Sequence, residues 1–511
     1  MIDSIAFEAD GPMRPAVRIP TNSGCDMNKL AVCLGVLLAV SAGSLEAAAP
    51  TPSGVVGTSI GADLAIDRTF GEEGFTVVSY NDDYGVWDES VRIRAAEDGG
   101  YWLIGFHRPS SGDDRVAISK LDADGHIDES FGTLGKIAVA TGLTWVRDGI
   151  VVGGRFYIAG VHLLTSSGPS VMALACLEAD GSYCSGFGDA QGSVTIAANE
   201  PGMSSEALRI LERDGALYLV GTTDPGGGDF GHSSAIAVAK LDASTGALDE
   251  SFGAGTGPLP GTAVIDPDLI PAAMDYAYAS AFAGNGNLLI GGAAQTDAST
   301  NASNGYVLAM NAATGALDTT FGTNGYAFFE LHVGVHYDQT IVRALKVLDD
   351  GRIIVAGDAN HDDEFFNVLT DVLLASLDPN GQPTMAFGVD GMTHVTAGTL
   401  TTVTDMIVRA NGDIVVSTPS NGLLPDPYNP DTLHSVVQFD AMGNGPTSTV
   451  SFEYPSLVTP QGWPVSMLVD SEDRIVVAGF RLWDFDFPIP DSDHSVARLM
   501  RDAIFSGTFD P

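Results

Sequence analysis

Residues 342–357 read VRALKVLDDGRIIVAG, two runs rich in apolar and β-branched residues on either side of Asp350-Gly351. β-Branched side chains fit a pleated surface, and an Asp-Gly pair tolerates the positive φ of a tight turn, so the segment predicts a β-hairpin. A third apolar run follows after a loop, as at 372–377 or 116–121, and a fourth follows a Phe-Gly pair, as at 136–140 or 326–330. Each such stretch supplies four short strands. Nowhere does a 3.6-residue apolar period with helix caps persist, so few helices are expected.

The hairpin pattern recurs along the chain. Phe-Gly or a weaker echo of it stands at Phe70, Phe131, Phe187, Phe252, Phe321, Phe387, Phe452 and Phe509, at intervals of 61, 56, 65, 69, 66, 65 and 57 residues. An independent marker, the turn pair before the second strand, stands at Asp98-Gly99, Gly153-Gly154, Asp214-Gly215, Asn285-Gly286, Asp350-Gly351, Asn411-Gly412 and Glu472-Asp473. Two markers with one period of about sixty residues define seven repeats. Repeated four-stranded sheets must hide their faces, and radial stacking does so while leaving only short edges. The expected fold is therefore all-β, a seven-bladed β-propeller of four-stranded antiparallel blades over 63–511. A solenoid is the structural rival, but sixty residues is long for one rung. The lone strand 75–78 together with three strands near 465–469, 474–479 and 495–499 makes one blade, so the N-terminal strand is expected to close the ring.

In its fullest copies the recurring motif is Asp-x-Ser/Thr-Phe-Gly, carried by Asp67, Phe70 and Gly71, by Asp128, Phe131 and Gly132, by Asp249, Phe252 and Gly253, and by Asp318, Phe321 and Gly322. Phe187 and Phe387-Gly388 have Cys184 and Thr384 at the aspartate position. An Asp can accept backbone N–H groups two residues on, Gly can take positive φ, and Phe can fill the gap between blades, so the motif is structural. With VRIRAAEDGGYWLIG, VAISKLDADGHIDESFGTLGKIAV, ALDESFG, ALDTTFGTNG and VRALKVLDDGRIIVAG, the chain resembles the delta-60 repeat family of bacterial secreted proteins. The layout is also similar to NHL-type repeats. The resemblance spans 63–511 and implies a propeller, but no assigned activity. Repeats six and seven, around Phe439-Asp440 and Ser451-Phe452, depart most from the motif.

Composition narrows the setting. Of 511 residues 45% are hydrophobic, enough for a large core, and Asp+Glu outnumber Lys+Arg by 65 to 23 for a net charge of −42. That charge repels a phosphate backbone, so nucleic acid is not an expected partner. Residues 31–40 (AVCLGVLLAV) follow Lys29 and precede small residues near Ala47. Ten apolar residues are too few to span a bilayer but match the core of a signal peptide. The expected layout is an untranslated or unfolded extension at 1–26, a signal peptide at 27–47, a linker at 48–62 and the repeats beyond. The product is expected to be a secreted or periplasmic monomer with no membrane-spanning segment.

Strand alternation puts the two short turns of each repeat at one end and the longer connections, 81–89, 224–232, 358–367, 420–433 and 482–493, at the other. Variable loops on a rigid frame are the usual place for recognition. The expected function is thus non-catalytic: binding or scaffolding of a macromolecule or surface glycan through this acidic loop face. The alternatives are a polysaccharide hydrolase or lyase and a structural envelope component. Asp358, Asp362, Asp363 and Glu364 are the candidate Ca²⁺ ligands, since clustered carboxylates suit a hard cation, although no EF-hand spacing is present. Gly57 to Gly61 matches G-x-S-x-G outside any strand-to-helix elbow, and His332 and His336 lack the Glu of a zinc motif, so no catalytic or cofactor-binding residue is assigned. A short turn around Asp180 would set Cys176 opposite Cys184, and an exported protein permits that disulfide.

Overall fold

The computed structural model describes residues 58–60, 64–80, 87–109, 114–165, 168–199, 202–224, 233–267, 269–270, 273–297, 302–335, 337–364, 368–395, 402–421, 432–454, 461–484 and 491–500. All lie within one compact unit, Pro52–Pro511. Among them every regular element is a strand and none is a helix. In the hairpin read first from sequence, Asp338–Val347 pairs with Ile353–Asp362, which pairs with Val368–Leu377 and then Met392–Val395, all antiparallel. Gly351 takes the positive φ that the first turn demands. The same up-and-down order recurs over 87–139, 145–196, 205–265, 275–329 and 405–452.

The end of the chain supplies three strands, Gln461–Val469, Ile475–Asp484 and Asp491–Met500, in hydrogen-bonded order. Their fourth comes from the other end: Phe75–Val78 pairs antiparallel with Asp491–Met500, with Phe75 opposite Ala497. Ala65–Ile66 extends this pairing. Thr58–Ile60, inside the segment expected to be a linker, pairs with Ser448–Phe452. The remaining residues of 1–57, and Phe509, lie outside the described residues.

Apolar side chains on the strands meet between successive sheets rather than in one central core. Tyr157, Leu174 and Phe187 pack with Leu217, Leu219 and Leu241 of the next sheet. Ile104 and Val116 pack with Phe156 and Ile158, and Val476, Ala478 and Val496 pack with Ile93, Tyr101 and Leu103. Each sheet is covered on both faces, which is why its middle strands read as continuous apolar runs.

The Phe-Gly motif sits at the outer margin of these interfaces. Phe70, Phe187, Phe252, Phe321 and Phe387 are buried, and the N–H groups of Gly71, Gly188, Gly253, Gly322 and Gly388 donate to carbonyls of the following unit's outer turn at 2.7 to 3.1 Å. That turn presents its own glycine to the ring: a Cβ on Gly125, Gly381 or Gly443 would strike Phe70, Phe321 or Phe387. Asp67, Asp128, Asp249 and Asp318 each accept the N–H and hydroxyl of the Ser or Thr two residues on, for example 3.1 and 2.6 Å at Asp67. In the second unit Cys184 replaces the aspartate and forms a disulfide with Cys176 across a Cα–Cα distance of 5.4 Å.

The junction between the chain's two ends carries a buried ion pair. Arg498 Nε donates to Asp67 at 2.7 Å, its Nη1 donates to the Ala123 carbonyl at 2.7 Å, and its guanidinium covers the Phe70 ring. Replacing Arg498 by Met leaves the buried Asp67 carboxylate with its Thr69 hydrogen bonds but without its charge partner, so urea unfolding should show a loss of about 3 kcal/mol. A loss below about 1 kcal/mol, the range of a surface pair, would contradict this account.

His434 gives a second handle on stability. It is buried against Phe452 and Tyr454, and burial, opposed only by the Phe480 backbone, pulls its pKa down to about 3. The unfolded chain takes up this proton near pH 6.5 and the folded chain does not, so this contribution to stability is present above that pH and declines as pH falls toward 3. His434→Leu should therefore reduce the fall in unfolding free energy between pH 7 and pH 4 by about 3 kcal/mol, read from denaturant curves at both pH values.

Candidate functional site

The first strand of each unit is the one nearest the other units' first strands. Trp87–Ala95, Trp145–Val152, Ser205–Arg213, Asp275–Phe282, Asp338–Val347, Asp405–Val408 and Gln461–Val469 pack in succession, and the last also packs on the first. Six of the seven share a device. The register slips by one residue between Ser90 and Arg92, Val146 and Asp148, Ala207 and Arg209, Ala277 and Ala279, Val342 and Ala344, and Pro464 and Ser466. Opposite each slip stands a glycine: Gly105, Gly160, Gly221, Gly292, Gly357 or Gly479. A Cβ at any of them would run into a carbonyl oxygen of the bulged strand, from Glu89 O at Gly105 to Trp463 O at Gly479. Asp405–Val408 begins opposite Ser417, the register position that follows the slip in the others, and Thr418 stands at the glycine position.

The bulge re-aims the residues that follow it. Arg92, Asp148 and Arg209 occupy the position just after the slip on three successive strands, and all line a cavity of about 500 Å³. Every first strand contributes to its wall, which also carries Arg94, Arg343, Lys346 and Asp405. Arg94 and Arg343 keep 31% and 26% of their side chains exposed, so solvent reaches the cavity.

Charge in the cavity is unevenly matched. Asp148 accepts Arg92 Nε at 2.6 Å, Arg94 at 3.2 Å, and the backbone N–H groups of Gly149 and Ile210. Burial opposes its ionisation, but Arg92, Arg94 and Arg209 outweigh burial and hold its carboxyl below the ordinary range. Asp405 accepts the N–H groups of Met406 and Met467, with Arg92 at 3.9 Å. Arg209 is different: its hydrogen bond goes to the Leu208 carbonyl at 2.8 Å. Burial, then the repulsion of Arg92, outweigh the pull of Asp148 and Asp405 and bring its pKa down to about 10. On the long-loop half of the same strands, burial pushes the Glu89 carboxyl up to about 7 against the pull of Arg108 and Arg147.

The residues expected to bind Ca²⁺ do not form a ligand set. Asp358 is buried and accepts Arg343 Nε at 2.9 Å, Thr402 Oγ1 at 2.8 Å and Val403 N–H at 2.7 Å, tying two units together. Asp362 accepts the N–H groups of Val335 and Tyr337. Asp363 is half-buried and Glu364 exposed. Among the described residues no group of three or more His, Cys, Asp or Glu could hold a metal ion. His332 is exposed and pairs with Glu330, while His336 and most of the long connections lie outside the described residues. No helix among the described residues is long and apolar enough to cross a membrane.

The cations of the cavity were not singled out from sequence, although a signal existed. Arg92, Arg94, Arg209, Arg343 and Lys346 all fall in the strand just before the turn pair, five of only 23 Lys+Arg in the chain.

No protein-family model matches the chain, and no curated protein matches it. Among solved structures, it is similar to a protein of unknown function from Dyadobacter fermentans at 10% identity and TM-score 0.41, covering 87% of this chain and 99% of that one. An α-L-arabinanase of Penicillium chrysogenum is similar at 11% identity and TM-score 0.39, covering 86% and 98%. A neuraminidase-like protein of a flat-faced bat influenza A virus is similar at 11% identity and TM-score 0.36, covering 86% and 97%. At these scores the fold rests on the strand pairing and the likenesses carry no function.

The glycine–bulge pairing has a direct consequence. Gly221→Ala drives a methyl into the Glu206 carbonyl and should cost about 1–3 kcal/mol in thermal unfolding. Gly284→Ala, whose methyl meets open space, should change stability by less than ~0.5 kcal/mol. Equal melting temperatures for the two variants would remove the bulge from the account.

Proposed function

We propose that the chain is a seven-bladed β-propeller, closed by its N-terminal strand, that binds a macromolecule or surface glycan outside the cytoplasm without chemically changing it. The support for closure is the pairing of Phe75–Val78 with Asp491–Met500 and the apolar cluster between the units 461–500 and 87–139. The disulfide between Cys176 and Cys184 is compatible with an oxidising compartment. The recurring Phe-Gly and turn pairs favour membership of the delta-60 repeat family.

The observation that carries the binding reading is the cavity walled by all the first strands. Its carboxylates Asp148 and Asp405 are held by backbone amides, and Asp148 also by arginines, so they serve the frame. A fixed, charged wall on rigid strands is suited to hold a polar ligand in one orientation. The site lies on the half of each first strand that leads into the short turns, away from the long connections. Recognition by the propeller is thus centred on the channel, with the long loops as a second contact surface.

One observation favours the hydrolase alternative. A general acid in glycoside cleavage must hold its proton near neutral pH, and Glu89 has a carboxyl pushed up to about 7. Incubating the purified chain with a panel of polysaccharides separates the two. The binding reading expects a raised melting temperature with at least one polysaccharide and no new reducing ends. Release of reducing ends that Glu89→Gln abolishes would overturn it in favour of hydrolysis.

A further inference from the structure

We infer that the central cavity is an oxyanion site, which holds the carboxylate or sulfate group of an acidic, sugar-sized ligand against Arg209, with Arg94 and Lys346 beside it. The inference deepens the binding reading and rests on it, because it names what the channel accepts.

The cavity's own charges point to this. Five cations line it: Arg92, Arg94, Arg209, Arg343 and Lys346. Three carboxylates answer them, Asp148 and Asp405 in the wall and Asp358 behind Arg343, and each is already committed to backbone amides or to Arg and Thr side chains. Among the described residues no carboxylate lies within ion-pair distance of Arg209 or Lys346, while the other three cations have one. Arg209 spends one nitrogen on the Leu208 carbonyl, and among the described residues no other hydrogen bond engages its guanidinium, which lines the cavity.

A guanidinium among other guanidiniums, partly removed from water, is raised in energy by mutual repulsion, and an anion relieves that cost more effectively there than in bulk solvent. The planar fork of Arg matches the paired oxygens of a carboxylate or sulfate. A cavity of about 500 Å³ leaves room for the body that carries the group. In a chain of net charge −42, such a basic pocket also selects for small acidic ligands over a polyphosphate backbone, which the outer surface repels.

Isothermal titration calorimetry on the purified chain, with D-galacturonate, a sulfated galactose, galactose and inorganic phosphate as probes, tests this. At least one of the two acidic sugars should bind about 10-fold tighter than galactose, and the stronger of them identifies the source of the oxyanion. Arg209→Gln should weaken that binding by about 10- to 100-fold. Should that variant fail to fold, Lys346→Gln, at an exposed position on the same wall, should still weaken it several-fold, and added NaCl should weaken the wild type. Equal affinity for galactose, binding of phosphate alone, or unchanged affinity in both variants would overturn the inference. Polysaccharides that raise the melting temperature although both acidic sugars fail would overturn the oxyanion site alone. Failure of every probe and every polysaccharide would overturn the binding reading with it.

Discussion

Each sheet of this chain has two apolar faces and can hide neither by itself, and the remaining architecture answers that constraint. Val355, Leu373 and Ala375 face one neighbour, while Ile354, Ala356 and Leu374 on the same strands face the other. An array with ends would leave two such faces in water. Here the faces at the two ends of the series meet, through Val476, Ala478 and Val496 against Ile93, Tyr101 and Leu103. At about 25 cal/mol per Å² of apolar surface, leaving them apart would be a large penalty.

Two sets of glycines adapt this frame, and they act at opposite margins. Gly125, Gly381 and Gly443 let an outer turn lie directly on the preceding unit's Phe ring. Gly105, Gly160, Gly221, Gly292, Gly357 and Gly479 let the bulged first strand approach its neighbour, and after five of the six bulges the next residue lines the cavity. The outer set fixes how sheets stack, and the inner set fixes what the cavity presents. In the unit 405–452 Thr418 stands where the others have glycine, and the ladder of Asp405–Val408 starts one position later, opposite Ser417.

Much of the fold was legible because it is written in local chemistry repeated many times. Turn pairs, β-branched runs and Asp-x-Ser/Thr-Phe-Gly each depend on a few adjacent residues, and the lone strand 75–78 was found with the bounds the structure gives it. The site was less legible because its members come from strands about sixty residues apart, and no short motif joins Arg92, Asp148 and Arg209. Attention to abundant acidic residues in loops also drew the expectation to Asp358 and Asp362, which are interior struts bonded to Arg343, Thr402, Val403, Val335 and Tyr337. In so acidic a chain the scarce charge was the informative one. The glycine at the fifth or sixth residue of six of the seven second strands, as in RIIVAG or ALYLVG, was visible in the text, but only the bulge opposite it explains why it recurs.

The ion pair between Asp67 and Arg498 joins residues 431 positions apart. During synthesis Phe75–Val78 therefore waits for its partner until Asp491–Met500 has emerged. Contacts of such high order make folding slow. The sheet that joins Phe75–Val78 to Asp491–Met500 is thus the last whose strands are all available for pairing.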